Sequence, residues 1–208
     1  MKALVLSDIH IGDPRFNQDS ALCELLKKDY DHVILNGDII DSWFDYEEAA
    51  QNSQFLYNLD YLKNVVWVRG NHDPKDTTIN KMLPLIKVVE TYKLGRYFFI
   101  HGHQVYPNNN SSSFDRWSTR LNAWLNRWFG LDLQRVYIAT DLYKNRCKGR
   151  RQQVLNAVGA LEYAVVMGHT HVQTTQIDGG KIVYDGGSVM CGGFYIEIDN
   201  GTVSFKKL

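Results

Sequence analysis

Histidine and aspartate are distributed unevenly along this chain of 208 residues, in patterns that suit metal chemistry. Six of the seven histidines lie in four short tracts, and a fifth tract supplies carboxylates alone. In chain order the five tracts are Asp8-Ile9-His10, Gly37-Asp38-Ile39-Ile40-Asp41, Gly70-Asn71-His72-Asp73, His101-Gly102-His103 and Gly168-His169-Thr170-His171. Carboxylate, amide and imidazole donors without thiolate favour Mn²⁺, Fe²⁺, Zn²⁺ or Ni²⁺ over Ca²⁺ and Mg²⁺, and among these we expect Mn²⁺.

The spacing within the tracts predicts which side chains share an ion. Asp8 and His10 are two residues apart at the end of an apolar run, so both can point into one pocket. Gly37 lets the backbone turn tightly, and the two oxygens of Asp38 could then bridge two cations. Asn71 offers a neutral carbonyl oxygen, and three further imidazoles come from the late tracts: His101, His169 and His171. Two ions about 3.5–4 Å apart would stabilise both the attacking and the leaving oxygen at phosphorus.

Short apolar runs precede the tracts and must position them. The runs lie at residues 3–6, 33–35, 65–68, 97–100 and 164–167, and they predict buried β-strands. Helical periodicity at residues 17–29 and 47–62 separates the first three runs, and a further strand is predicted near residues 87–92. This βαβ order places the strand ends, and therefore the tracts, on one rim of a sheet.

Composition and charge restrict the class of protein. The hydrophobic fraction of 44% suits a folded chain, and we expect residues 1–208 to form one domain. A formal net charge of zero gives no global attraction to nucleic acid or membrane. The three cysteines form no CxxC pair, which argues for reduced thiols. Because no run resembles a signal peptide or a membrane span, we expect a cytoplasmic protein.

In this order, the five tracts resemble the motifs of the calcineurin-like metallophosphoesterases. The resemblance runs from Asp8 to His171 and implies an α/β fold, a four-layer α/β/β/α sandwich. It implies that the first metal ion is bound by Asp8, His10, Asp38 and His171. It implies that the second is bound by Asp38, Asn71, His101 and His169. It also implies phosphodiesterase or phosphomonoesterase activity, in which a hydroxide between the metals attacks phosphorus.

The third tract supplies the expected acid. The resemblance implies that His72 contacts the phosphate and protonates the leaving oxygen. Asp73 follows directly, and we expect it to orient His72 and raise the basicity of its ring. Two roles stay open: His103 either faces the active site or makes ordinary hydrogen bonds, and Asp41 either supports the site or caps the next segment. Ser188 follows two glycines and is expected to lie in a turn, with a contact to the phosphate as the alternative.

A helical insert is predicted at about residues 112–162. Trp117, Trp124 and Trp128 recur at helical spacing and form an apolar stripe. From Ser113 to Arg151 there are nine basic and three acidic residues, a net charge of +6. Either the insert caps the metals and its basic side chains bind substrate, or it packs on the sandwich with a solvated basic face. The candidate substrate-binding residues are Arg116, Arg120, Arg127, Lys144, Arg146 and Arg150.

Several substrates and one other class of function are compatible with these patterns. The insert resembles that of the UDP-2,3-diacylglucosamine pyrophosphatase branch, which implies a nucleotide-sugar lipid substrate, although that branch carries Arg at the position of His72. His101 to Val105 resembles the retromer scaffold subunit, which implies protein binding, but that relative lacks the complete catalytic set. The basic insert could also follow a nucleic-acid backbone. We favour a phosphorylated small molecule or nucleotide and make no prediction of oligomeric state.

Overall fold

The structure of the chain is a computed structural model that describes residues 1–105, 113–158 and 164–208. The strands are β1 Lys2–Leu6, β2 His32–Asn36, β3 Val65–Val68, β4 Lys87–Val89, β5 Thr91–Leu94, β6 Tyr97–Ile100, β7 Ala164–Met167, β8 Thr174–Asp178, β9 Lys181–Asp185, β10 Phe194–Asp199 and β11 Thr202–Lys207. The helices are α1 Asp19–Leu26, α2 Tyr46–Asn52, α3 Gln54–Leu59, α4 Asp76–Met82, α5 Ser113–Phe129, α6 Leu133–Ala139, α7 Asp141–Ala157 and α8 Val189–Gly192.

Two β-sheets form the centre of the fold. The first has the strand order β11-β10-β1-β2-β3-β4, and the second has the order β5-β6-β7-β9-β8. Strands β1 to β4 run parallel to one another, as do β6, β7 and β9. Parallel neighbours bring their carboxyl ends to the same edge of a sheet. The predicted α/β class, with polar tracts at the strand ends, is confirmed.

The two sheets and their helices form four layers. Successive residues of a strand face opposite sides, so Leu4 packs beneath α1 and α3 whereas Val5 faces the second sheet. Phe99 meets Val5 in the central layer between the sheets. Phe98, one residue earlier, packs on the far side against α7. The α/β/β/α sandwich that the family resemblance implied is therefore present.

Two predicted elements are wrong in detail. The helix expected at residues 47–62 is two helices, because Ser53 has an extended backbone and its hydroxyl caps α3 by accepting from Leu56 N at 3.2 Å. The strand expected near residues 87–92 is also two. β4 pairs with β3 in the first sheet, whereas β5 pairs with β6 in the second. Local β-propensity does not reveal where a chain crosses from one sheet to the other.

The described residues between β6 and β7 are mostly helical, as the insert was expected to be. They comprise a 3₁₀ turn at His103–Val105 and the helices α5, α6 and α7. The predicted ends of the insert, residues 112 and 159–162, lie outside the described residues. Within residues 1–105, 113–158 and 164–208, no helix has both the length and the apolar character that a membrane span requires.

Candidate metal centre

The ends of the parallel strands turn abruptly and deliver the candidate ligands. Seven non-glycine residues of the described chain have positive φ, and five of them are expected ligands. These five are Asp8, His10, Asp38, His169 and His171, with φ between 54° and 71°. Such left-handed backbone costs about 1–2 kcal/mol per non-glycine residue, and among these residues it is commonest for Asn, Asp and His. Strain concentrated at one place in a fold marks a functional site.

Asp8, His10 and His171 form the first donor group, and their donor atoms all lie within 4.8 Å of one another. His171 Nε2 is 3.0 Å from Asp8 Oδ1 and 3.4 Å from His10 Nε2. All three side chains are buried. Two imidazole nitrogens and a carboxylate that converge in this way match the ligands of a divalent transition metal. They are three of the four ligands expected for the first ion.

Asp38, His101 and His169 form the second donor group. His101 Nδ1 donates to the carbonyl oxygen of Asn36 at 2.9 Å, so its Nε2 is left as the donor atom, 3.1 Å from Asp38 Oδ2. Asn71 Oδ1, the buried amide oxygen of another expected ligand, has no hydrogen-bond partner among the residues that the structure describes. Because buried polar atoms are rarely left without partners, this oxygen fits a site for a bound cation.

Two glycines let the tracts approach this closely. Gly37 has φ of 86°, and a Cβ at this position would overlap the imidazole ring of His101. A Cβ on Gly168 would overlap Ser7 Oγ and would lie 2.6 Å from Asp8 Oδ2. Any larger residue would therefore push the ligand-bearing tracts apart.

Close contacts between carboxylates and imidazoles shift the pKa values of several residues in and around the donor groups. Burial opposes ionisation of Asp8, but the nearby imidazoles of His171 and His101 outweigh it and lower the pKa of Asp8 to about 2. For His10, burial favours a lower pKa, but the nearby carboxylate of Asp41 outweighs it and raises the pKa to about 8. The pKa of His101 rises to about 9 against the cost of burial, because Asp38 and Asp8 are close. The pocket thus stabilises positive charge among its carboxylates.

Asp41 joins His10 to His72. Its Oδ2 lies 3.0 Å from His10 Nδ1, and its Oδ1 lies 3.0 Å from His72 Nδ1. Although burial opposes its ionisation, these two histidines hold the pKa of Asp41 well below its usual range. Nitrogen and oxygen atoms of these three side chains also lie within 4.8 Å of one another, close enough to hold a metal ion. We assign them as a hydrogen-bonded bridge, because His10 Nε2 already faces His171 in the first donor group. The structure thus favours the supporting role of Asp41.

Asp73 does not contact His72 in the way that we expected. Its half-buried carboxylate accepts five hydrogen bonds from the polypeptide around the second tract and β3. The donors are the backbone N–H groups of Asp38, Ile39, Ile40 and Gly70, at 2.7–3.0 Å, and the indole N–H of Trp67, at 3.0 Å. Asp41 makes the contact that we had assigned to Asp73. The expected role of Asp73 in orienting His72 is therefore wrong, and its carboxylate instead anchors the backbone that carries Asp38.

Trp43 connects the expected acid to the insert. Its indole stacks on the His72 ring with centroids 3.6 Å apart, and the indole is 6% exposed. The Arg120 guanidinium donates to the carbonyl oxygen of Trp43 at 2.7 and 2.9 Å. The Arg116 guanidinium lies 5.9 Å from the Trp43 ring centroid. Helix α5 therefore places two of the six candidate substrate-binding residues beside the residue that covers His72.

The other four candidate basic residues are less closely placed. Arg127, Lys144 and Arg146 are exposed, and Lys144 lies 3.8 Å from Asp141 on its own helix. Arg150 is half-buried. Burial and the charge of His101 hold the pKa of His169 well below its usual range, and the charge of Arg150 acts in the same direction. Arg150 therefore lies close enough to the second donor group for its charge to act on His169.

Sequence reasoning missed a buried network beneath the last tract. Asp185 Oδ2 accepts from the hydroxyl of Thr170 at 2.5 Å and from Arg151 Nη1 at 3.3 Å. Burial raises the pKa of Asp185 to about 7 despite these two partners. Its position at the end of β9, directly before two glycines, repeats the pattern of the ligand tracts and could have revealed it. The network ties α7 to the Gly168–His171 tract.

The residues left open around the site also find partners. Cys191 Sγ lies 3.3 Å from His171 Nδ1, a contact that no feature of the sequence signalled. Ser188 caps α8 by accepting from Cys191 N at 3.1 Å, and its hydroxyl donates to the carbonyl oxygen of Asp8 at 2.9 Å. The His103 ring centroid is 5.6 Å from that of His101. Burial and the charge of His101 lower the pKa of His103 to about 4, so its ring is neutral.

Solved structures share this fold at low sequence identity. An archaeal phosphodiesterase is 16% identical, with a TM-score of 0.58 and 100% of each chain covered. The E. coli phosphoesterase Yfce is 19% identical, with a TM-score of 0.53 over 98% of this chain and 91% of that chain. Vps29 from Entamoeba histolytica, in complex with zinc, is 16% identical, with a TM-score of 0.51 over 100% of this chain and 98% of that chain. No curated protein matches the chain significantly.

The sequence itself matches a family model. The model for calcineurin-like phosphoesterases covers residues 1–173, which include all five polar tracts. The family uses divalent metal ions, and the two donor groups provide candidate ligands for them. The chain belongs to the calcineurin-like phosphoesterase family and is a phosphoric ester hydrolase.

Proposed function

We propose that the chain hydrolyses phosphate esters at a centre of two divalent metal ions. The observation that carries this proposal is the pair of donor groups, in which carboxylate oxygens lie 3.0–3.1 Å from imidazole nitrogens and two imidazole nitrogens lie 3.4 Å apart. Asp38 belongs to the second group, and its carbonyl oxygen accepts from the backbone N–H of His10, in the first group, at 3.0 Å, so we assign Asp38 as the shared ligand. The mixed nitrogen and oxygen donors suit Mn²⁺, Fe²⁺, Zn²⁺ or Ni²⁺, and we take Mn²⁺ as the ion to be tested. When bound, the ions would polarise phosphoryl oxygens and lower the pKa of the attacking water.

His72 is the acid in this proposal. Because a carboxylate can only accept, the Asp41 contact keeps the proton of the neutral His72 ring on Nδ1, and Nε2 faces away from Asp41. The side chain is 13% exposed, which allows a substrate to reach it. The stacked indole of Trp43 fixes the plane of the ring. His72 would contact the phosphate and, once protonated, deliver a proton to the leaving oxygen.

The substrate in this proposal is a phosphorylated small molecule or a nucleotide. Arg116 and Arg120 approach Trp43, so they stand where anionic groups flanking the scissile phosphate would lie. Arg150 adds positive charge near His169. The exposed residues of the same insert, Arg127, Lys144 and Arg146, would extend this basic surface.

Metal content and turnover of matched variants test the proposal. The Mn²⁺-loaded protein should hydrolyse p-nitrophenyl phosphate or bis-p-nitrophenyl phosphate, and Asp38→Ala should lose both metal and activity. His72→Ala should lower turnover but keep the metal content of the parent protein. Asp45→Ala is the control, because Asp45 is exposed and its side chain makes no capping hydrogen bond. An active Asp38→Ala variant with unchanged metal content would refute the two-metal proposal.

A lipid-linked pyrophosphate is the second candidate substrate, and one cleft favours it. A cleft of about 420 Å³ between α5, α6 and α7 is lined by apolar side chains such as Leu121, Leu125 and Ile138. Tyr143 also lines the cleft, and its hydroxyl donates to the carbonyl oxygen of Thr170 at 3.0 Å, beside two expected ligands. An acyl chain in this cleft would place its head group near the metals. Preference for UDP-diacylglucosamine over bis-p-nitrophenyl phosphate, lost on filling the cleft with Ile138→Trp, would support this substrate.

A further inference from the structure

Helix α5 packs with its polar face inward. Asn122 and Ala123 are 7% and 3% exposed, and Asn122 Oδ1 accepts from Leu133 N at 2.8 Å. Trp117, Trp124 and Trp128 are 58%, 51% and 67% exposed. An ordinary surface helix turns its apolar stripe toward the core. Here the stripe faces outward although the helix itself is anchored.

The exposed stripe extends into a wider apolar surface. The Trp124 and Phe129 rings are in contact, with centroids 5.6 Å apart, and Phe129 is 63% exposed. Leu121, from the stripe, and Leu133, at the start of α6, line the same cleft. We call these exposed residues the interfacial surface: Trp117, Leu121, Trp124, Trp128, Phe129 and Leu133. A contiguous apolar patch of large side chains on a protein surface marks an interaction site.

Charge distinguishes the possible occupants of this surface. Arg116, Arg120 and Arg127 recur along α5 in a row beside the tryptophans, and residues 113–151 carry nine basic against three acidic side chains. A second copy of the chain packed on this surface by two-fold symmetry would bring like charges together. An anionic lipid surface would instead suit both the tryptophans and the arginines, because aromatic side chains enter the interfacial region while basic ones bind head groups.

We propose that the interfacial surface docks the protein on an anionic lipid bilayer. The basic row attracts the protein to the membrane, and the indole and phenyl rings enter the boundary between head groups and acyl chains. Arg120, in the same row, holds the carbonyl of Trp43, and Trp43 stacks on His72. Docking therefore places the metal centre close to the bilayer.

Vesicle binding by the intact protein tests this proposal. The protein should co-sediment with vesicles in which about one third of the lipid is phosphatidylglycerol, and much less with phosphatidylcholine vesicles. Added salt should weaken the binding, because it screens the basic row. Brominated acyl chains should quench the tryptophan fluorescence of the unmodified protein, which measures insertion without any substitution.

Substitutions then locate the surface. Trp124→Ala and Trp128→Ala should each weaken vesicle binding by about tenfold, since each removes an aromatic ring from the interface. Both variants should retain parent activity on a water-soluble ester, so docking and catalysis can fail separately. Ile177→Ala is the control, because Ile177 on β8 is 67% exposed and lies outside the interfacial surface.

Two outcomes would overturn the docking proposal. The first is an absence of both co-sedimentation and quenching with anionic vesicles. The second is a dimer, measured by light scattering, that Trp128→Ala dissociates while vesicle binding is unchanged. That result would assign the surface to contacts between copies of the chain.

Discussion

Replacing Asp41 with Asn tests the bridge between an expected ligand and the expected acid. The native carboxylate accepts from His10 Nδ1 and His72 Nδ1, each at 3.0 Å. The amide of Asn has nearly the same shape but offers one acceptor and one donor. Whichever histidine faces the new N–H group must present a lone pair at Nδ1 and carry its proton on Nε2. A His10 ring in that tautomer cannot bind a metal through Nε2. For His72, that tautomer changes which ring nitrogen carries the proton of the neutral acid.

The magnitude follows from the contacts that are lost. A hydrogen bond to a charged group contributes about 1.5–3 kcal/mol, and Asp41→Asn removes the charge from two such bonds while preserving one acceptor. Loss of one orienting bond of this kind behind a ligand or a catalytic group costs about 10–100-fold. We therefore expect the kcat/KM of Asp41→Asn to fall by about 10–100-fold, with the fold intact.

The assay compares Asp41→Asn with Asp45→Asn on bis-p-nitrophenyl phosphate at saturating Mn²⁺. Asp45 lies four residues along the chain, is exposed and makes no side-chain capping bond, so its variant should match the parent protein. Metal content, measured on the same samples, separates a lost ligand from a misplaced acid. Parent-like kcat/KM and metal content in Asp41→Asn would refute the bridging role.

Three other expectations follow from the same geometry. Asp73→Ala should lower the free energy of unfolding of the metal-free protein by about 3–5 kcal/mol in urea titrations, because five donors lose their buried acceptor; a stable variant defective only in turnover would contradict this structural role. The raised pKa values of His10 and His101 contribute stability to the metal-free protein that is complete below pH 6.5 and is lost as the pH rises through about 8 and 9. Metal ions bind neutral imidazole, so the increase in Tm on adding Mn²⁺ should grow between pH 6.5 and 9, and a constant increase would contradict the assignment of these ligands. Trp43→Leu should lower kcat by about tenfold at unchanged metal content, because the His72 ring loses its stacking partner; an unchanged kcat would show that the stack has no catalytic role.

The strand ends that carry the expected ligands could be predicted from the sequence, because short apolar runs identify the strands and each polar tract directly follows one of them. Asp8 and His10 follow a buried strand directly, and parallel winding brings such strand ends together. Which of its two expected roles Asp41 takes was not predictable, since its contacts are with His10 and His72, which belong to two other tracts. Asp73 was misassigned because adjacency in sequence suggested a contact with His72, whereas adjacent side chains in a turn point in different directions.

The orientation of the insert was beyond sequence reasoning for a related reason. The tryptophan spacing identified the apolar stripe of α5, and amphipathicity alone would turn that stripe toward the core. The buried face is instead chosen by particular polar contacts, such as Asn122 with the start of α6. Such contacts join residues of different helices and leave no periodic signal.

The left-handed backbone at the five expected ligands sets selection for activity against selection for stability. Asp8, His10, Asp38, His169 and His171 each retain a side chain where glycine would relax the backbone. A lineage that lost the need for hydrolysis could therefore gain stability by discarding these ligands one at a time. Each residue kept in this conformation is a cost that only a useful reaction offsets.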